Sequence, residues 1–198
     1  MTEKTAVMIC GHGSRDDHAI EEFNKLAGHL SRRLPQFDVE SGFLEFATPI
    51  IRTGLDKLKE RGANKIVCVP GMLFAAGHVK NDLPSEVNNF GAENPDIEMI
   101  FARELAIDLK LLEAAKQRIE AAERDAAPDV SRQDTLLMVV GRGTNDPDAN
   151  SNVSKIARML WEGMGFGWAE VSYSGVASPL VDEGLVRCQQ LEHAVVLA

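Results

Sequence analysis

The sequence predicts an α/β protein made of two homologous three-layer α/β/α domains, each built on a parallel sheet. Three observations carry this reading. Short apolar runs alternate with segments whose hydrophobic residues recur at helical spacing. Glycine-containing loops follow the apolar runs, as they do where a strand turns toward a helix. The N-terminal pattern then begins again at a constant offset, with Gly141 lying over Gly11 (141 − 11 = 130).

The elements follow in order. Ala6-Val7-Met8-Ile9-Cys10 is a continuous apolar run ending at Gly11, as expected for a strand buried on both faces. From Asp16 onward, Ile20, Phe23, Leu26, Ala27 and Leu30 mark a helix that Pro35 closes. Val39 to Ala47 reads as a second strand. Thr48-Pro49 opens a helix carrying Ile51, Leu55 and Leu58, with Gly62 just past its end. Lys65 to Pro70 is a third strand, and the loop from Gly71 to Gly77 leads to a helix expected from about Lys80 to Phe90. Asp96 to Phe101 reads as a fourth strand and Leu105 to Ala122 as a long amphipathic helix. Repeated strand–helix alternation implies right-handed crossovers and a parallel sheet.

Ala126-Ala127-Pro128-Asp129, followed by Ser131-Arg132-Gln133-Asp134, marks the expected boundary, giving domains at 1–128 and 129–198. Ungapped matches run through the second copy. Ala27 meets Ala157, Leu30 meets Leu160, Glu40 meets Glu170, Phe43 meets Tyr173, Pro49 meets Pro179 and Leu55 meets Leu185. This is duplication of a whole α/β unit, far longer than a solenoid repeat. The second copy carries Arg142 against His12 and Gly175 against Glu45. Its last segment, His193 to Ala198, corresponds to the third strand of the first copy. The second domain is therefore expected to be incomplete and the chain a truncated gene product or part of a longer one, with an open apolar edge suited to self-association.

Composition narrows the function. At 44% hydrophobic and 26% charged residues, the chain reads as an ordinary soluble protein. A formal charge of −9 argues against nucleic acid or anionic membrane as partner, while leaving room for an anionic small molecule held by local cations. No apolar run has the length of a membrane span and no leader is evident, so a cytoplasmic location is expected. Cys10, Cys68 and Cys188 form no CxxC pair, and the first two read as small buried hydrophobes.

Three segments stand at the carboxyl ends of predicted strands, where ligands bind in open parallel sheets. In Gly11-His12-Gly13-Ser14-Arg15 the flanking glycines let the backbone turn sharply and expose an imidazole, a common ligand for borderline divalent metals. The alternatives are a loop histidine bonded to backbone, a dinucleotide loop, which lacks the third glycine, and a phosphate-transferring histidine, which lacks a preceding arginine. Glu45, in Phe43-Leu44-Glu45-Phe46-Ala47, is a carboxylate in an apolar strand; it is either an exposed strand-end group or a proton acceptor. His78, in Gly77-His78-Val79-Lys80-Asn81-Asp82-Leu83-Pro84, is either a ligand or a helix cap. Lys80, Asn81 and Asp82 read as helix-end and solvent groups. His18, His29 and His193 read as ordinary surface or packing residues, and Trp161 and Trp168 as packing residues of the second copy.

Taken in order, the apolar strand into Gly-His-Gly-Ser-Arg, the Phe-Leu-Glu-x-Ala-x-Pro segment and Gly-His-x-x-x-Asp-Leu-Pro resemble the sirohydrochlorin chelatases. These comprise the cobalt-inserting CbiX type and the iron-inserting enzyme of sirohaem synthesis. The resemblance implies a chelatase-like fold and a lyase that inserts Co²⁺ into sirohydrochlorin for cobalamin synthesis, with Fe²⁺ or Ni²⁺ as other metals. It implies that His12 and His78 hold the metal, that Glu45 assists pyrrole deprotonation, and that no nucleotide is needed. Ser14 and Arg15 are the expected contacts to the carboxylate-rich tetrapyrrole, with Arg142 a second candidate cation; the alternative for both arginines is an ordinary surface salt bridge. The alternatives to a cobalt enzyme are sirohydrochlorin ferrochelatase and a non-enzymatic metal or tetrapyrrole carrier.

Overall fold

The computed structural model describes residues 3–126, 130–191 and 195–197. Residue 128, the expected domain boundary, and His193 lie outside the described residues. The chain divides into two compact units, Met1–Ala106 and Ile107–Ala198.

In the first unit, β1 (Thr5–Gly11), β2 (Asp38–Phe43), β3 (Lys65–Pro70) and β4 (Glu98–Phe101) form one sheet in the order β2-β1-β3-β4. Every pairing is parallel. Helices α1 (Asp17–Arg33), α2 (Ile51–Glu60) and α3 (Leu83–Glu93) supply the crossovers. Strand alternation sends Met8, Cys10, Ile66 and Cys68 to one face, where they pack with Leu55 and Leu58 of α2 and Leu83, Val87 and Phe90 of α3. Val7 and Ile9 go to the other face, against Phe23, Ala27 and Leu30 of α1. Fully burying a side chain such as Leu58 or Phe90 contributes roughly 1.5–3 kcal/mol, so the two central strands are the rigid base of whatever their loops carry. Asp16 starts α1 by accepting the His18 N–H at 3.0 Å. The two cysteines are buried as expected. Hydrogen bonding to Cys68, together with burial, pushes the Cys10 thiol well above its ordinary value, so it stays a neutral packing group.

The second unit holds α4 (Leu109–Ala126), β5 (Thr135–Gly141), α5 (Pro147–Met164), β6 (Trp168–Tyr173), α6 (Val181–Gln189) and β7 (Val195–Leu197). Its strand order is β6-β5-β7, again all parallel. The duplication is visible in the register. Ala6 to Gly11 pair with Asp38 to Phe43, and Leu136 to Gly141 pair with Trp168 to Tyr173 at the same offset. The Phe43 N–H donates to the Pro49 carbonyl and the Tyr173 N–H to the Pro179 carbonyl, each at 2.9 Å. Thr48-Pro49 and Ser178-Pro179 are both cis. Trp161 and Trp168 pack on each other, with ring centroids 4.7 Å apart, in line with the packing role expected of them.

Two spans differ from expectation. Helix α4 follows β4 in sequence yet packs in the second unit: Leu112, Ala115 and Ile119 lie against Leu137, Leu160, Met164 and Phe166. A bidentate Arg132–Glu123 pair, at 2.7 and 2.6 Å, ties it there. The compact units therefore divide before α4 and not in the polar stretch that follows it. Strand β2 stops at Phe43 instead of Ala47, which moves Glu45 from a strand onto a loop. No described helix is long and apolar enough to cross a membrane.

Candidate metal centre

The two loops that bear His12 and Glu45 are tied by backbone. The Leu44 N–H donates to the Gly11 carbonyl at 2.9 Å, and the Glu45 N–H to the His12 carbonyl at 3.0 Å. The pairing of β1 with β2 thus continues for two residues past the strand ends. Gly13 makes this approach possible. Its φ is +97°, and a Cβ there would lie 1.8 Å from the Glu45 carbonyl oxygen.

His12 is partly buried, and its Nδ1 lies 2.9 Å from the Gly13 carbonyl. A carbonyl only accepts, so Nδ1 carries the hydrogen and Nε2 presents its lone pair. That lone pair faces Glu45 Oε1 at 3.4 Å. Two electron-rich atoms confronting each other are satisfied by a cation or a proton placed between them.

His78 comes from the loop after β3, in a single π-helical turn, His78–Asp82, that runs directly into α3. The helix expected from Lys80 thus begins with a wider turn, and such turns occur often at functional sites. The Leu83 N–H closes it on the His78 carbonyl. Within the turn, His78 Nδ1 lies 2.7 Å from Asp82 Oδ2. This fixes the second imidazole as the first is fixed, with Nδ1–H donating and Nε2 free. The His12 and His78 rings meet edge to face, centroids 4.4 Å apart.

His12, Glu45 and His78 each bring one ligand atom into a group whose members lie within 4.8 Å of one another. Metal–nitrogen and metal–oxygen bonds of about 2.0–2.2 Å place tetrahedral ligand atoms about 3.3 Å apart. The His12–Glu45 separation already matches, and a small inward shift of His78 completes the set. The Glu45 and His78 side chains are 40% and 44% exposed, so an ion held among these residues would keep one side open to another molecule. Such a site would present a metal and not seal one in.

Ser14 and Arg15 stand on the same loop. The Ser14 hydroxyl oxygen accepts the Asp16 N–H at 3.0 Å, so its visible work is to shape the entry into α1. The Arg15 guanidinium lies 5.0 Å from the centroid of the exposed Phe46 ring. Arg142 is exposed on the corresponding loop of the second unit.

Two neighbours escaped the sequence reading. Asp82 was legible in principle, because a carboxylate four residues after a histidine shares its helix face. Phe46 was not. Its φ of +62° is unusual for a bulky residue, with a cost on the order of 1–3 kcal/mol, and no composition signal announces it.

Asp82 makes a separate test. Asp82→Ala is expected to weaken divalent metal binding about 10- to 100-fold, whereas Asp82→Asn, whose amide oxygen still accepts, keeps most of it. Titration of Co²⁺ absorption bands reads both. Unchanged affinity in Asp82→Ala would show that the carboxylate is an ordinary surface group.

The CbiX family model matches residues 6–122 and 136–198, one stretch over each copy of the repeat. The chain belongs to the CbiX family. Among CbiX relatives, the sirohydrochlorin cobaltochelatase of Priestia megaterium is 35% identical over 191 residues, covering 94% of this chain and 60% of that protein. The sirohydrochlorin ferrochelatase of the same organism is 29% identical over 180 residues, covering 91% of this chain and 66% of that protein. A solved structure of SirB from Bacillus subtilis with Fe³⁺ superposes with a TM-score of 0.86 at 25% identity, covering 98% of this chain and 75% of that one. This CbiX chain therefore spans 60% and 66% of the length of those two curated relatives.

Proposed function

We propose that the protein inserts a divalent metal into sirohydrochlorin, that His12 and His78 hold the incoming ion, and that Glu45 takes a pyrrole proton. The observation that carries this is the convergence of two imidazoles and a carboxylate, each with one ligand atom within 4.8 Å of the others, at a partly exposed strand-end site.

The chemistry required is simple to balance. A free tetrapyrrole and M²⁺ become a metallated ring and two protons. Two neutral imidazoles strip part of the ion's water while leaving positions open to pyrrole nitrogens. As the ion passes to the ring, the His12 Nε2 lone pair is released beside Glu45, 3.4 Å away. The carboxylate accepts one proton and the freed imidazole the other, after which both pass them to water. Arg15 supplies a local cation for the substrate's carboxylates on a protein of net charge −9.

Cobalt is the metal we favour, on the strength of the 35% identity to a cobaltochelatase, with its product feeding cobalamin synthesis. Iron insertion is the second reading, supported by the 29% identity to a ferrochelatase. Nitrogen and carboxylate donors accept either ion, so the ligand set does not choose between them.

The test is an anaerobic assay of sirohydrochlorin with Co²⁺ or Fe²⁺, followed by the absorption change on metallation. Faster insertion than the spontaneous rate is expected with both ions and greater acceleration with Co²⁺. Tight binding of metal and tetrapyrrole without acceleration would make the protein a carrier and end the enzymatic reading.

A further inference from the structure

Phe46 has no part in the metal centre as described, and the fold does not need it. Its side chain is 53% exposed, so it adds little to the core. It sits at the centre of a three-residue turn in which the Ala47 N–H donates to the Glu45 carbonyl at 2.8 Å. With φ at +62°, this is the rare and strained form of that turn. A glycine would take the conformation without strain. An exposed aromatic ring kept at a strained position therefore calls for a reason outside folding.

Its surroundings supply one. The ring centroid is 6.1 Å from that of His12, and the Arg15 guanidinium lies over the ring at 5.0 Å. The neighbouring Glu45 faces His12. An aromatic ring with a cation over one of its faces is thus held at the edge of the metal centre. The second unit serves as an internal control. The position matching Phe46 is Val176, and that matching Arg15 is Asn145. Among the described residues only Phe46 and Ala106 combine a side chain with positive φ, so Val176 has an ordinary backbone. The copy that lacks the histidine and the glutamate lacks the ring and the strained turn as well, and carries its arginine, Arg142, at the histidine's own position.

We propose that Phe46 is a substrate-positioning residue: the tetrapyrrole lies against the face of its ring that Arg15 leaves open, while Arg15 reaches past the ring's edge to a carboxylate at the macrocycle's rim. This rests on the tetrapyrrole reading above and goes beyond it by naming the surface that orients the ring over the metal. Stacking a conjugated ring on an aromatic side chain adds apolar burial and favourable quadrupole contact.

The experiment compares wild type with Phe46→Ala, Phe46→Gly and Phe46→Trp. It measures Co²⁺ insertion kinetics, Co²⁺ binding without tetrapyrrole, and Tm. Alanine and glycine are expected to raise KM for sirohydrochlorin about tenfold, the loss of one good contact. They leave kcat within about threefold and metal affinity unchanged, and tryptophan keeps the wild-type KM. Phe46→Gly is expected to hold or raise Tm, which a residue retained for stability would not do. A wild-type enzyme that metallates sirohydrochlorin while Phe46→Ala has an unchanged KM overturns the platform alone. Wild-type protein that binds no sirohydrochlorin removes the tetrapyrrole reading and the platform with it.

Discussion

Replacing His12 or His78 by alanine is expected to lower metal insertion at least a hundredfold while leaving the fold intact. The magnitude follows from the ligand count. Groups that merely orient a ligand change affinity or activity 10- to 100-fold when removed, so deleting a ligand itself sets that range as a floor. The geometry makes both losses specific. In the described structure His12 bonds through Nδ1 only to the neighbouring Gly13 carbonyl, and His78 through Nδ1 to Asp82 in its own turn. Beyond the edge-to-face contact of the two rings and the approach of His12 to Glu45, neither side chain ties distant elements together, so Tm should move little in either variant. The two effects should also fall short of adding, because the histidines act on one ion. Steady-state kinetics on the single and double variants, with thermal melts as control, checks this. Full activity in His12→Ala would remove the assignment, whatever the protein's reaction.

The second large effect is structural in origin. Gly13→Ala is expected to destabilise the first unit by about 2–4 kcal/mol and to abolish the site. Two costs combine. The φ of +97° disfavours any side chain, and the new Cβ would stand 1.8 Å from the Glu45 carbonyl oxygen. That neighbour is backbone, so no rotamer change relieves the overlap. The loops must part, and the Glu45 N–H bond to the His12 carbonyl parts with them. The ligand geometry depends on that bond. Gly62→Ala is the matched control. Gly62 also has positive φ, +83°, but a Cβ there meets nothing within 4 Å. It should cost about 1 kcal/mol and leave activity unchanged. Denaturant melts and insertion rates on the two variants separate conformational strain from steric collision. Equal losses in both would show that φ alone decides.

How much of this could be read before the structure depended on whether a feature was local. Strand β3 falls where its apolar run ends, at Pro70, because hydrophobic pattern and turn residue agree there. The duplication was legible because ungapped matches at one offset require the same strand register, and the paired residues obey it. The convergence of His12, Glu45 and His78 was legible through the strand-end rule: whichever loop they occupied, parallel strands had to deliver them to one edge.

Other features depended on tertiary partners. The apolar stripe of α4 shows that the helix packs, yet Leu112 and Ile119 carry no mark of which unit they pack against. The run from Phe43 to Ala47 looks strand-like. The loop past Phe43 is nevertheless held by bonds to Gly11, to His12 and within its own turn, so the ladder ends early. Asp82 looked like a solvent group because the helix was expected from Lys80, and the i, i+4 spacing brings it onto His78 only when the helical turn already starts at His78. Phe46 was invisible because its strained φ is imposed by the loop around it.

The most direct test of the central claim is the stoichiometry of Co²⁺ binding, followed by the absorption bands of the bound ion, in wild type and in the His12→Ala/His78→Ala double variant. One Co²⁺ per wild-type chain is predicted, with a nitrogen- and oxygen-ligand spectrum, and none at this site in the double variant. A double variant that still takes up one Co²⁺ with the wild-type spectrum would place the metal elsewhere and contradict the account.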